Sequence, residues 1–416
     1  MSKLLKVTAS TGVLTLAKMA MGFAIAKVVA LYTGPSGMAL LGQIQGVVAV
    51  LTGVTNAPVS SGIVRYTSEN NNKGLHMCSP WWRASLLWVG IIFVALLPVS
   101  FFASDNIAAY FFGDTKYSWV IYVIVFTLPI TSFGTLFISI INGLQNYKRF
   151  VAINFISVFI SSIVMIALIV KLNIKGAVIA AAVQTALIGI IIITINVNQQ
   201  WVTLKNFFGQ INPEAFKSIG KYVLMAMTSA LVMPVSLLIV RNLLVQHVGW
   251  EDAGLWQAVW KISEVYLGVI TIALSTYYLP KLSQINEMDH IMREITTTAK
   301  TIIPMVSLIA LAIYLSRDIL IAVLFTNEFR EARDLFAIQF FGDIIKIIAW
   351  LYAFPMLSRC AVKWYIGTEV FFGAVFTLLS YTLIPVYGLS GANYAYLFSY
   401  ILYGLLIITN VKRFSA

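Results

Sequence analysis

Twelve apolar stretches of roughly 17 to 27 residues recur along this chain, each long enough to cross a hydrocarbon core of about 30 Å as a helix. They run approximately over 8–31, 39–64, 82–102, 118–143, 150–170, 176–197, 219–245, 254–277, 299–315, 334–354, 364–386 and 389–411. In lipid a backbone must satisfy its own hydrogen bonds, which a helix does within one segment. The sequence therefore predicts an all-α polytopic membrane protein of about twelve transmembrane helices. Composition agrees, with 60% hydrophobic and only 11% charged residues and a mean hydropathy of +0.88. Ordinary soluble domains carry about 25% charged residues.

The net charge of +12 would suggest nucleic acid in a soluble protein, but here most Lys and Arg residues fall in short loops between apolar runs. There they set topology. With a cytoplasmic N-terminus, seventeen basic residues collect on the cytoplasmic side, against Lys116, Lys171, Lys175, Arg317, Arg330 and Arg333 opposite. Both termini are expected in the cytoplasm. Lys18 and Lys27 interrupt the first apolar stretch and no small-residue cleavage pattern follows, so this stretch reads as a retained helix. Cys78 and Cys360 fall in expected cytoplasmic loops and read as free thiols. Only His76 stands near either, so no metal site is expected.

An internal repeat at one offset organises the chain. Gly176-Ala177-x-x-Ala180 matches Gly391-Ala392-x-x-Ala395, 215 residues on, and the match continues through Gly189/Gly404 and Ile192-Ile193-Thr194/Ile407-Ile408-Thr409. The same offset aligns Gly34 with Gly249, Gly53-Val54 with Gly268-Val269, and Lys148 with Lys363. Six helices per repeat give two pseudo-symmetric lobes related by an axis along the membrane normal, around a central cavity. The expected division is an N-terminal lobe at 1–197, a cytoplasmic linker at 198–218 and a C-terminal lobe at 219–416.

Ionisable groups inside spans cost about 2.5 kcal/mol or more and therefore mark candidate sites. Lys18, Lys261, Glu264, Asp343 and Lys346 lie well inside their spans. Lys27, Arg241 and Glu369 lie nearer helix ends, within snorkelling reach of an interface. Lys261/Glu264 and Asp343/Lys346 are i,i+3 pairs, each with an acid beside a base. Two readings stand for them: local ion pairs in a packed bundle, or cavity groups that change partners during transport. Lys18 has no acid within a turn, so it reads either as a polar residue in a small-residue packing seam or as a cation awaiting an anionic ligand. These five bases outnumber the three acids, which predicts a mildly cationic interior. Trp256, Trp260 and Tyr266 are candidates for stacking on sugar rings, though such residues are more often interfacial belt or core residues. Nothing resembles a nucleotide loop or a catalytic triad, so no enzyme and no cofactor is expected. Energy would come from a proton or sodium gradient, the ligand's own gradient, or a partner.

The segment Gly34-Pro35-Ser36-Gly37, the Gly46-containing second helix and Arg65-Tyr66 resemble the start of Wzx-type flippases. These form the polysaccharide branch of the exporter superfamily that also holds multidrug and toxin extrusion proteins. Ala253-Gly254-Leu255-Trp256-Gln257, Ile262-Ser263-Glu264, Tyr278-Leu279-Pro280-Lys281-Leu282-Ser283, Arg333-Asp334-Leu335-Phe336-Ala337, Gly342-Asp343-x-x-Lys346 and Tyr365-Ile366-x-Thr368-Glu369 are similar to the subgroup that moves enterobacterial common antigen lipid. The resemblance implies an inner-membrane protein whose substrate is undecaprenyl pyrophosphate bearing a short glycan, of O-antigen or enterobacterial common antigen type. Lys18, Lys261, Lys346, Lys27 and Arg241 would then supply cations for the pyrophosphate. Asp343, Glu264 and Glu369 would be the coupling acids. Membrane lipids, a glycan polymerase and a chain-length regulator are the implied partners, with no nucleic acid. An ion-coupled multidrug antiporter of the same fold and a non-transporting assembly factor for a polymerase remain as alternatives.

Overall fold

A straight helix of 54 residues would run about 80 Å, more than twice the hydrocarbon thickness, so the long helices of this protein have to break. The computed structural model describes residues 3–415 except 286 and 360, with side chains from residue 12 onward save those of 225, 273, 276, 280 and 415. Its helices are α1 (Lys3–Asn56), α2 (Ser61–Asn70), α3 (Leu75–Phe112), α4 (Ser118–Gly143), α5 (Tyr147–Asn196), α6 (Leu204–Phe207), α7 (Pro213–Ala273), α8 (Leu279–Gln284), α9 (Met288–Leu315), α10 (Arg317–Leu324), α11 (Phe336–Ser358), α12 (Val362–Tyr387) and α13 (Leu389–Ser415). Among the described residues nine helical stretches are long and apolar enough to span a membrane. Three of the helices involved are interrupted once: α1 at Gly34 (φ 64°, ψ −168°), α5 at Asn173 (φ 51°, ψ −129°) and α7 at Gly249 (φ 88°, ψ 174°). Each leg keeps about 20 residues or more, enough to cross, so the nine yield the twelve spans read from the sequence.

The 215-residue repeat reappears in the backbone. Gly34 and Gly249 are the same kind of break. Asn173 matches Gly388, whose φ of 56° and ψ of −133° are nearly its own. Gly176 and Gly391 are also equivalent: a Cβ on Gly176 would lie 2.0 Å from the carbonyl oxygen of Leu168, and one on Gly391 would lie 2.4 Å from that of Leu383. In both places the chain turns back so tightly that only glycine fits.

Two compact units result, Met1–Ile25 with Gln43–Pro234 and Ala26–Gly42 with Val235–Ala416. In unit 1, α4 packs on the second leg of α5 where Gly134 and Gly189 let the backbones approach; a Cβ on Gly189 would meet the Ile130 carbonyl oxygen at 2.7 Å. Its core gathers Trp82, Phe137, Ile140 and Ile141 together with Trp201 and Phe207 from the 198–218 segment. The Trp82 indole donates to Thr67 Oγ1 at 2.9 Å. In unit 2, α11 packs against α9 and α13, and α13 against α12.

Hydropathy understates two helices. α3 begins at Leu75 and runs through Pro80 and Pro98 to Phe112, where Gly113 ends it at φ 74°. α9 starts at Met288, eleven residues ahead of the apolar run, since its first three turns are helical but polar. Cys78 consequently sits in the first turns of α3, fully buried and free, not in a loop. Cys360 lies outside the described residues.

Asn173 holds a backbone conformation that favours glycine, and its repeat partner already is one. Asn173→Gly should raise the melting temperature of the detergent-purified protein, relieving about 1 kcal/mol of strain. Gly176→Ala should lower it, at a cost of about 1–3 kcal/mol from overpacking against Leu168.

Candidate functional site

A carboxylate placed inside a membrane span must replace its lost water with fixed donors. Asp343, fully buried in α11, has them on all sides. Oδ2 accepts from Ser263 Oγ at 2.6 Å and from the Tyr266 hydroxyl at 2.6 Å, both on α7. Oδ1 accepts from the Tyr396 hydroxyl of α13 at 2.8 Å and from Gln339 Nε2, one turn back on α11, at 3.3 Å. A carboxylate offers about four lone-pair sites, so the set is complete. Asn393 orients the amide by donating to Gln339 Oε1 at 3.1 Å. Ser263 and Tyr266 reach one acid because they lie three apart on one helical face. Tyr396 reaches it because residue 342 is glycine: a Cβ there would stand 2.5 Å from the Tyr396 ring.

Lys346, one turn beyond Asp343, does not form an ion pair with it within 4 Å among the described residues. Its ammonium lies over the rings of Trp350, Tyr400 and Tyr396 at 4.8, 5.4 and 5.8 Å, a cation–π arrangement. From there it feels Asp343, Glu264 and Glu369 electrostatically. Lys261 and Glu264 do pair, at 3.2 Å, both partly exposed, and Glu264 also accepts from the Trp260 indole at 3.2 Å. Arg241 donates to the Gly42 carbonyl at 3.1 Å and lies in the field of Glu264. Unit 2 thus holds Arg241, Lys261 and Lys346 against Glu264, Asp343 and Glu369, three bases facing three acids.

Two cations stand apart from that balance. Lys27 donates to the carbonyl oxygens of Ala322 at 3.1 Å and of Phe325, so it caps the C-terminal end of α10, where a positive charge is favoured. Lys18 belongs to unit 1, is exposed, and has no carboxylate within 4 Å among the described residues.

The three aromatic candidates are interior groups in this conformation. Trp256 and Trp260 are 1% and 4% exposed and stack on each other at 5.0 Å, while Tyr266 is committed to Asp343. A concavity of about 690 Å³ in unit 2 lies elsewhere, at the helix breaks, lined by Glu251, Asp252, Glu328 and Glu331. Its sign is wrong for an anion. Sequence reasoning missed Tyr396, Gln339 and Asn393; the available signal was the polar stripe Asn393, Tyr396, Tyr400 and Tyr403 at helical spacing in an otherwise apolar span.

The geometry of the cage fits one protonation state of Asp343 at a time. Ionised, it takes four donors; protonated, it must donate one bond, and a hydroxyl must rotate to receive it. Tyr396→Phe should cost about 1.5–3 kcal/mol as a hydrogen bond to a charged group. In an Asp343→Asn background the same change should cost about 1 kcal/mol or less. The non-additivity, read from unfolding of the purified single and double variants, measures the coupling.

Residues 4–286 match the family described as polysaccharide biosynthesis protein. A lipid III flippase of Escherichia coli (strain K12) is 27% identical over 405 residues, covering 96% of each chain, and a lipid III flippase of Shigella flexneri matches to the same extent. Among solved structures, an inward-facing multidrug resistance MATE family transporter of the MOP superfamily is similar with a TM-score of 0.75 at 13% identity, over 97% of this chain and 98% of that one. A lipid II flippase in an inward closed conformation is similar with a TM-score of 0.73 at 16% identity, over 98% and 87%. At such identities the structures share the fold. The relatives are flippases and transporters, not enzymes. With more than half of its length matched, this chain belongs to the polysaccharide biosynthesis protein family and has the fold of MOP-superfamily transporters.

Proposed function

We propose that this protein translocates an undecaprenyl-pyrophosphate-linked oligosaccharide from the cytoplasmic to the periplasmic leaflet of the bacterial inner membrane by alternating access, with both termini in the cytoplasm. Similarity to a lipid III flippase across nearly the whole chain carries this reading. The chemistry of the spans supports it, because six ionisable groups kept inside one unit, the caged Asp343 among them, are costly in lipid and point to a polar task. O-antigen and enterobacterial common antigen units are the glycan types in question, and a polymerase with its chain-length regulator would receive the product.

In this reading the residues divide their work. Lys18, the mid-span cation with no carboxylate beside it, meets the pyrophosphate. Lys261 and Lys346 can do so only by leaving Glu264 and the aromatic rings. Asp343 binds and releases the coupling proton, its cage permitting both forms, with Glu264 and Glu369 as secondary acids. An ion-coupled multidrug antiporter shares the fold, yet a preference for cationic drugs calls for an acidic interior, and the acids of the unit 2 network are matched by bases.

Deleting the gene should cause lipid-linked oligosaccharides to accumulate, with a sugar composition that names the substrate by mass analysis. Restoring the wild-type chain or Lys18→Arg should clear all or part of the pool, since arginine keeps the charge and can bridge phosphate oxygens. Lys18→Ala should clear none. Normal export by Lys18→Ala at native expression would remove Lys18 from the mechanism, and no accumulation on deletion would remove the flippase reading.

A further inference from the structure

An apolar groove of about 370 Å³ runs between α9 and α11 on the outside of unit 2. Its floor is made shallow-sided by two alanines, Ala310 and Ala337, and its walls are Leu311, Tyr314, Phe340 and Phe341. Leu311 and Phe341 are 52% and 65% exposed, so the groove opens toward the lipid side. Apolar surface alone is ordinary there. Two further features make this place different.

The first is charge at one end. α9 ends at Leu315, and Arg317 begins α10 immediately after. The Arg317 guanidinium lies 4.2 Å from the centroid of the Tyr314 ring and donates to the Tyr314 carbonyl at 2.8 Å. It is half-buried, with no carboxylate within 4 Å among the described residues. Beyond it, α10 turns Ile319 and Val323 outward, 67% and 62% exposed. An apolar groove thus ends beside an arginine just past the end of a span, which is the complement of an anionic lipid with its tail in the groove.

The second is what the groove touches on its inner side. Phe340 forms its wall and also packs edge-on against Tyr266, with centroids 5.7 Å apart and planes at 83°. Tyr266 is a donor to Asp343. One helix, α11, therefore presents Phe340 and Phe341 to the groove and Gln339 and Asp343 to the cage. A tail in the groove bears on the acid through two aromatic rings, Phe340 and Tyr266.

We propose that this groove binds the polyprenyl tail of the lipid-linked substrate, with Arg317 holding its diphosphate end once Lys18 has released it on the periplasmic side, and that occupancy is transmitted to Asp343 through Phe340 and Tyr266. This rests on the flippase reading above. The contact with Tyr266 selects substrate over bulk phospholipid as the occupant, because only a ligand that comes and goes with each cycle has use for a link to the coupling acid.

The test uses the full-length purified protein and a diazirine-bearing polyprenyl diphosphate, photolysed and mapped by mass spectrometry. Adducts should fall within residues 307–314 and 337–344, vanish with excess unlabelled polyprenyl diphosphate, and persist with the same excess of phosphatidylglycerol. Ala337→Trp, which fills the groove, should lower their yield about tenfold. Arg317→Gln, whose shorter amide keeps a donor near the Tyr314 carbonyl, should weaken probe binding about tenfold through loss of a charged hydrogen bond, with its melting temperature measured alongside. Leu378→Trp, on an exposed apolar face of α12, should change neither. Specific adducts elsewhere on the chain but not in the groove would overturn the groove and leave the flippase reading intact. Equal displacement by phosphatidylglycerol would overturn it in favour of ordinary lipid. Absence of any specific adduct would overturn both.

Discussion

Taking a carboxylate out of water costs several kcal/mol unless the protein itself supplies the hydrogen bonds that water gave. In unit 2 that demand is met at Asp343 by groups from three helices, and much of the local packing follows from it. α7 has to present Ser263 and Tyr266 on one face, α13 has to bring Tyr396 alongside, and α11 has to carry Gln339 one turn away. Replacing any of these donors leaves the carboxylate one hydrogen bond short. Such an arrangement tolerates one well-defined geometry.

Glycine makes the approach possible. Gly342 lets the Tyr396 ring lie against α11, and Gly254 lets α7 pass the backbone of Pro35, where a Cβ would stand 2.0 Å from the carbonyl oxygen. Without lipid-excluding hydrophobic force between spans, helices associate through such close contacts and through polar side chains. The same logic recurs in unit 1 at Gly134 and Gly189. Lys346 shows a different solution to the same cost, a cation held by ring faces in place of a counter-ion.

The spans and the 215-residue repeat, Gly34 aligned with Gly249 included, were legible in the sequence, because each depends on local hydropathy or on a residue type with one conformational use. The left-handed break at each of these glycines was seen only in the backbone. Asn173 was legible as a short turn between charged lysines, though not as the counterpart of Gly388. What local pattern cannot convey is which residue faces which across helices. Asp343 and Lys346 read as an i,i+3 pair, yet the acid turns to hydroxyls on α7 and α13 and the base to aromatic rings. Lys27 read as a snorkelling lysine and instead caps α10, nearly 300 residues away in sequence. Trp256 and Trp260 read more readily as belt or core residues than as sugar platforms, and their mutual stacking in the interior follows from α7 burying that face.

If Asp343 changes protonation as substrate is handled, infrared difference spectroscopy will register it. Purified protein with and without lipid-linked oligosaccharide should differ by a protonated-carboxyl stretching band that is lost in Asp343→Asn and shifted in Tyr266→Phe and Tyr396→Phe, which remove donors to the same group. A substrate-dependent carboxyl band that survives in Asp343→Asn, or no such band in the wild-type protein, would contradict the account.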